Sequence, residues 1–176
     1  MKFTILLSFF ALAESLTIPA ELADGAYIIS IDADGKQIMT ELGNINTTST
    51  DSPANNEVGK RAIGWPSGTF ASCPGGNWFR QDEFYDHAYN LFYNSCKGSG
   101  TISNGRSLFV NCGTSKAYMC SYGNNPCAVD EWAGAVDWIA GSCNRRDGGY
   151  MEPGQSPRTY RNLGRVHGNK WEYGPG

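Results

Sequence analysis

Residues 107–143 read SLFVNCGTSKAYMCSYGNNPCAVDEWAGAVDWIAGSC. Ser107 to Asn111 is a short apolar run of strand length. Ala117 to Tyr122 alternates, with Tyr118, Cys120 and Tyr122 against Ala117, Met119 and Ser121, which is the period of a second strand. Asn124-Asn125-Pro126 is a turn, and Pro126 with the Asp130-Glu131 pair suits a helix start. At about 100° per residue, Trp132, Ala135, Val136, Ile139 and Cys143 share one face, so the helix runs to about Cys143.

The same reading extends in both directions. Phe79 to Cys96 predicts an earlier helix with Phe84, Ala88, Leu91, Phe92 and Ser95 on its apolar face, and Trp65 to Cys73 a strand before it. Past Gly148-Gly149, short strands are expected near Tyr150, Arg158–Tyr160 and Lys170–Tyr173. The order is β-α-β-β-α-β plus a C-terminal strand. The predicted fold is α+β, a small disulfide-stapled α/β sandwich whose antiparallel sheet carries both helices on one face.

Met1-Lys2 and the eleven-residue apolar run Phe3 to Ala13 form a signal peptide over residues 1–15, with small residues placed for cleavage. The run is shorter than the roughly 18 residues an anchor needs, and no later segment reaches that length. A secreted, extracellular protein without a membrane anchor is expected. All six cysteines (Cys73, Cys96, Cys112, Cys120, Cys127 and Cys143) lie in the second half and read as a fully bridged framework, with the pairing open. With no close CxxC pair and two histidines, neither a metal nor a cofactor is expected.

Composition changes at Lys60-Arg61. Residues 16–61 hold three Lys/Arg against seven Asp/Glu and no tryptophan. Residues 62–176 hold ten against nine and all five tryptophans. A dibasic pair in a polar stretch suits a kexin-type protease. An acidic pro-segment over 16–61 and a mature domain over 62–176 are therefore expected. Within the pro-segment, Ala26–Ile31 and Lys36–Thr40 flank Asp34-Gly35, a hairpin signal. Asn46-Thr47-Thr48 is an N-glycosylation sequon.

Residues 117–127, with Glu131, Ala135, Ile139, Cys143, Gly148-Gly149-Tyr150 and Gly164-Arg165, resemble a group of small secreted cysteine-rich fungal proteins. That group includes the glycan-binding lectin of an inky-cap mushroom and is loosely like killer toxins and plant-pathogen effectors. The resemblance covers about 50 residues well. It implies an α/β sandwich and a non-catalytic role on extracellular glycans or on a host or competitor cell surface. The group tends to close with a C-terminal cysteine, which this chain lacks, and no binding residue is carried over from it.

The chain carries no G-x-S-x-G, HExxH, Walker or Rossmann signature. His87 and His167, with Glu83 one turn before His87, are the pair a small ribonuclease or hydrolase could use. The near-neutral charge of 62–176 argues against nucleic acid, although Arg145-Arg146, Arg158, Arg161 and Arg165 cluster late in the chain. Aromatic residues are the strongest remaining signal. Tyr85, Tyr89 and Tyr93 form an i, i+4, i+8 stripe about 60–150° from the first helix's apolar face. Trp138 lies about 120° from the second helix's apolar face, with Glu131 and Gly134 near it. A ring beside a glycine and a carboxylate can stack on a sugar and accept hydroxyl hydrogen bonds. The candidate binding residues are therefore Trp138, Glu131, Tyr85, Tyr89 and Tyr93. An antimicrobial or killer-type toxin is the alternative reading.

Overall fold

A computed structural model describes residues 18–19, 21–43, 64–65, 67–73, 80–143, 148–152 and 161–167. Its strands are β1 (Gly25–Ile31), β2 (Gln37–Glu41), β3 (Phe70–Ser72), β4 (Thr101–Ile102), β5 (Arg106–Cys112), β6 (Ser115–Ser121), β7 (Asn125–Pro126), β8 (Gly149–Glu152) and β9 (Arg161–His167). Its helices are α1 (Tyr89–Ser99), entered through a π-helical segment Glu83–Ala88, and α2 (Val129–Cys143). Among the described residues, the main sheet runs β2-β1-β5-β6-β9-β8-β3, and every neighbouring pair is antiparallel. β4 and β7 form a separate short ribbon.

Both helices lie on one face, as the apolar periodicity predicts. Phe84, Ala88, Leu91 and Phe92 join Trp132, Ala135, Val136 and Ile139 over Leu108, Val110, Ala117 and Met119 of the sheet. The opposite face carries a second cluster of Ile18, Tyr27, Ile29, Phe109, Tyr118 and Cys120. β6 is consequently buried at all seven positions, an uncommon state for an antiparallel strand, which usually keeps one face wet.

The acidic segment expected as a pro-segment supplies strands of this same sheet. β1 pairs with β5 from Gly25↔Asn111 to Ser30↔Arg106, and β2 forms the sheet's outer edge. Lys60, Arg61 and Asn46, expected for processing and glycosylation, lie outside the described residues, as do Lys170–Tyr173. Residues 158–160, expected as a strand, also lie outside the described residues, and β9 at Arg161–His167 was not expected.

Four cysteines are bridged. Cys73–Cys143 ties the end of β3 to the end of α2, and Cys96–Cys127 ties α1 to the residue after β7. Each bridge constrains the unfolded chain by about 2–4 kcal/mol. The expectation that all six are paired is corrected, because Cys112 and Cys120 are buried free thiols. Cys112 packs in the helix-side cluster and Cys120 in the opposite one, so the sheet itself separates them.

The π segment has a local cause. Tyr89 N–H reaches back to the Phe84 carbonyl, and the Asn90 side-chain amide donates to Tyr85 O (3.2 Å) and Asp86 O (3.1 Å), satisfying carbonyls that the wider turn releases. Glu83 then clamps the β5–β6 turn. Its Oε1 accepts from the Thr114 backbone N–H, from Thr114 Oγ1 at 2.9 Å and from Ser115 N–H at 2.8 Å. Gly113 makes this possible: its φ is +53°, and a Cβ there would sit 2.8 Å from Glu83 Oε1. Gly149 has an equivalent role on α2, since a Cβ would fall 2.9 Å from both Cys143 Sγ and Ile139 Cγ2.

Candidate functional site

α2 exists because its apolar residues recur on one face, and its sequence leaves one large ring outside that face. Trp132 and Ile139 are fully buried, and Val136 is 1% exposed. Trp138 is 40% exposed. A helical side chain leans toward the preceding turn, which at Trp138 carries Gly134. One turn onward is Gly141, where even a Cβ would meet open space. The indole therefore has a residue without a side chain on either side along the helix. Glu131 lies two turns before it on the same stripe and is half-buried, while Asp130 and Asp137 are exposed.

The tyrosine stripe of the first helix is placed differently. Tyr89 is 8% exposed and packs against Trp132, with ring centroids 5.9 Å apart. Phe92 stacks on the same indole at 4.1 Å. Tyr85 and Tyr93 are half-buried against the helix-side core. The Tyr89 hydroxyl is held well above the ordinary tyrosine pKa by burial, then by the Asp137 carboxylate and the neighbouring Tyr93 and Tyr85. Trp132 makes the contact with Tyr89, and Trp138, six residues on, lies about 120° away from it round α2. The structure does not bring Trp138 and the tyrosine stripe into one site. It places Tyr89 in the interface between the helices, a correction to the reading of Tyr89 as a surface contact.

Of the two histidines, the side chain of His87 is described. His87 is exposed, and Glu83, one turn before it, is occupied at the β5–β6 turn. Burial raises the Glu83 carboxyl, but the hydrogen bonds from Thr114 and Ser115 together outweigh it and hold the carboxyl below its ordinary value. The backbone of His167 pairs opposite Ser115, and only its backbone is described. Cys112 and Cys120 are both buried. Burial pushes Cys112 up to about 12, aided by Asp24 and Glu83, and Cys120 up to about 11.

Sequence reasoning missed one polar cluster. Lys116, 5% exposed, donates from Nζ to Asn111 Oδ1 at 2.8 Å. Asn111 Nδ2 in turn donates to the carbonyls of Leu22 (2.7 Å) and Ala23 (3.2 Å) and to Asp24 Oδ1 (3.3 Å). Burial lowers the Lys116 pKa, while Asp24, Glu83 and the Cys112 sulfur oppose that shift. The one available signal was a lysine directly before the alternating strand Ala117–Tyr122.

Arg145, Arg146 and Arg158 of the late basic cluster lie outside the described residues. Among the described residues, no group of three His, Cys, Asp or Glu could hold a metal ion, and no helix is long and apolar enough to cross a membrane. No family model, no curated protein and no solved structure matches the chain.

Proposed function

We propose that this chain is a secreted, non-catalytic recognition protein that binds extracellular glycans, with Trp138 stacking on a sugar face and Glu131 accepting hydroxyl hydrogen bonds. The observation that carries the reading is the exposed indole on an otherwise well-packed helix. Full burial of a large apolar side chain is worth about 1.5–3 kcal/mol, and α2 forgoes part of that at position 138 while completing its core without it. A flat, rigid ring with glycine at i−4 and i+3 offers a platform for a sugar ring at low entropic cost. The resemblance to small cysteine-rich fungal lectins and effectors supports the same role. The signal peptide supports export, and the two disulfides suit an oxidising compartment.

A glycan array with the secreted chain tests the reading. Binding that is saturable and lost in Trp138→Ala is the expected result. Growth inhibition with membrane leakage and no array signal would favour the killer-toxin alternative. RNA cleavage lost in His87→Ala would favour the ribonuclease.

A further inference from the structure

The contact between residues 18–43 and the rest of the chain has the form of a ligand on its receptor. The acceptor is the edge of β5, with Phe109, Tyr118 and Cys120 beside it on the sheet face away from the helices. The occupant is a hairpin that closes by itself. Asp32 Oδ1 accepts from the N–H groups of Asp34 (3.0 Å) and Lys36 (2.8 Å), Asp32 N–H donates to the Lys36 carbonyl at 2.9 Å, and Leu42 N–H donates to the Ala26 carbonyl at 2.8 Å. Its inward residues Tyr27 and Ile29 are buried on the acceptor, Ile29 completely, and Ile18 joins them. At the far end, Asn111 and Gly113 grip the approach to the hairpin. Asn111 Nδ2 holds the Leu22 and Ala23 carbonyls, and Gly113 N–H donates to Asp24 Oδ1 at 2.7 Å. Lys116 holds Asn111 in place from behind.

No covalent staple crosses this contact, because every cysteine lies at position 73 or later. The strand pairing and hydrogen bonds described for this segment run within it or to residues 106–113. Strand addition to a sheet edge, with alternate side chains in apolar sites, is a recognised mode of peptide capture.

We propose that the β5 edge is a strand-acceptor site whose occupant is the chain's own residues 18–43, and that this hairpin stays seated after the connector is cut. The processed protein is then a two-piece complex and not a lone 62–176 domain. The inference does not depend on the glycan reading.

The test uses the full chain with a recognition sequence for a site-specific protease inserted between Thr50 and Asp51. After complete cutting, both pieces should co-elute on size exclusion in native buffer and separate in denaturant. Cys120, which packs in one cluster with Ile18, Tyr27 and Ile29 of this segment, reports the same event. It should resist an alkylating reagent before and after cutting. In denaturant without reductant, two thiols should label. A hairpin piece that elutes alone, with Cys120 labelled in native buffer, would overturn the proposal. Ile29→Asp in the cut protein should release the hairpin and speed Cys120 labelling at least about tenfold. Retention of the hairpin in that variant would also overturn it, since β1 docking would then not be what holds the piece. If Ile29→Asp is not secreted, co-elution and labelling of the cut parent chain decide alone.

Discussion

Tyr85–Tyr89–Tyr93 on the first helix and Trp138 on the second are aromatic positions displaced from their helix's apolar face by similar angles. One set is packed and the other is open. The difference comes from the neighbour. α2 lays Trp132 against Tyr89 and Phe92, so the flank of α1 that helical periodicity leaves unpaired becomes a helix–helix interface. Among the described residues, no corresponding element covers Trp138 to that degree. Angular offset from an apolar stripe thus says that a residue is not needed for the first contact of its helix. It does not say whether a second contact exists.

Truncation separates the two regions. Trp132→Ala removes the ring that joins the helices and should cost about 3–5 kcal/mol, read by chemical denaturation as a lowered midpoint with an unchanged slope. Tyr89→Ala should cost somewhat less, about 2–4 kcal/mol, because Tyr89 lies at the margin of the same nest. Neither change should weaken glycan binding by the fraction that remains folded. Loss of affinity in a folded Tyr89→Ala protein would return the stripe to the site.

Glu83→Gln should have a smaller effect, about 1 kcal/mol, because a neutral amide oxygen can still accept from the β5–β6 turn but without charge. The sign of its pH dependence is fixed. The folded-state pKa lies below the ordinary glutamate value of 4.5, so the contribution is present above that value and is lost as pH falls through the lower, folded one. Acid denaturation of the parent should therefore converge on that of Glu83→Gln as pH falls below the ordinary glutamate value and through the lower, folded one. Curves that stay parallel would show that the carboxylate charge contributes nothing to the clamp.

What the sequence made legible was the part with short-range causes. The strands at Ser107–Asn111 and Ala117–Tyr122, the helix ending at Cys143 and the hairpin around Asp34-Gly35 all follow from periodicity and turn chemistry, and all are found. What was not legible depends on which surfaces meet. The hairpin of residues 25–41 reads as a separate acidic segment because its charge differs from the rest, yet charge does not forbid its inward residues Tyr27 and Ile29 from pairing onto β5. The even count of cysteines suggests three bridges, but strand parity puts Cys112 and Cys120 on opposite faces of one sheet. The clamp of Glu83 on Thr114 and Ser115 joins residues about thirty positions apart and leaves no local pattern. Trp138 was legible because its placement rests on the period of one helix alone.

The smallest expected change in stability is also the most decisive for function. Trp138→Ala should leave the melting temperature within about 2 °C, because the ring completes no core, and should abolish binding to the best glycan found on the array. The measurement is a paired titration and thermal melt of the parent and Trp138→Ala chains. Lost affinity with an unchanged melt is the result the account predicts. Unchanged affinity, or a melt lowered like that of Trp132→Ala, would contradict it.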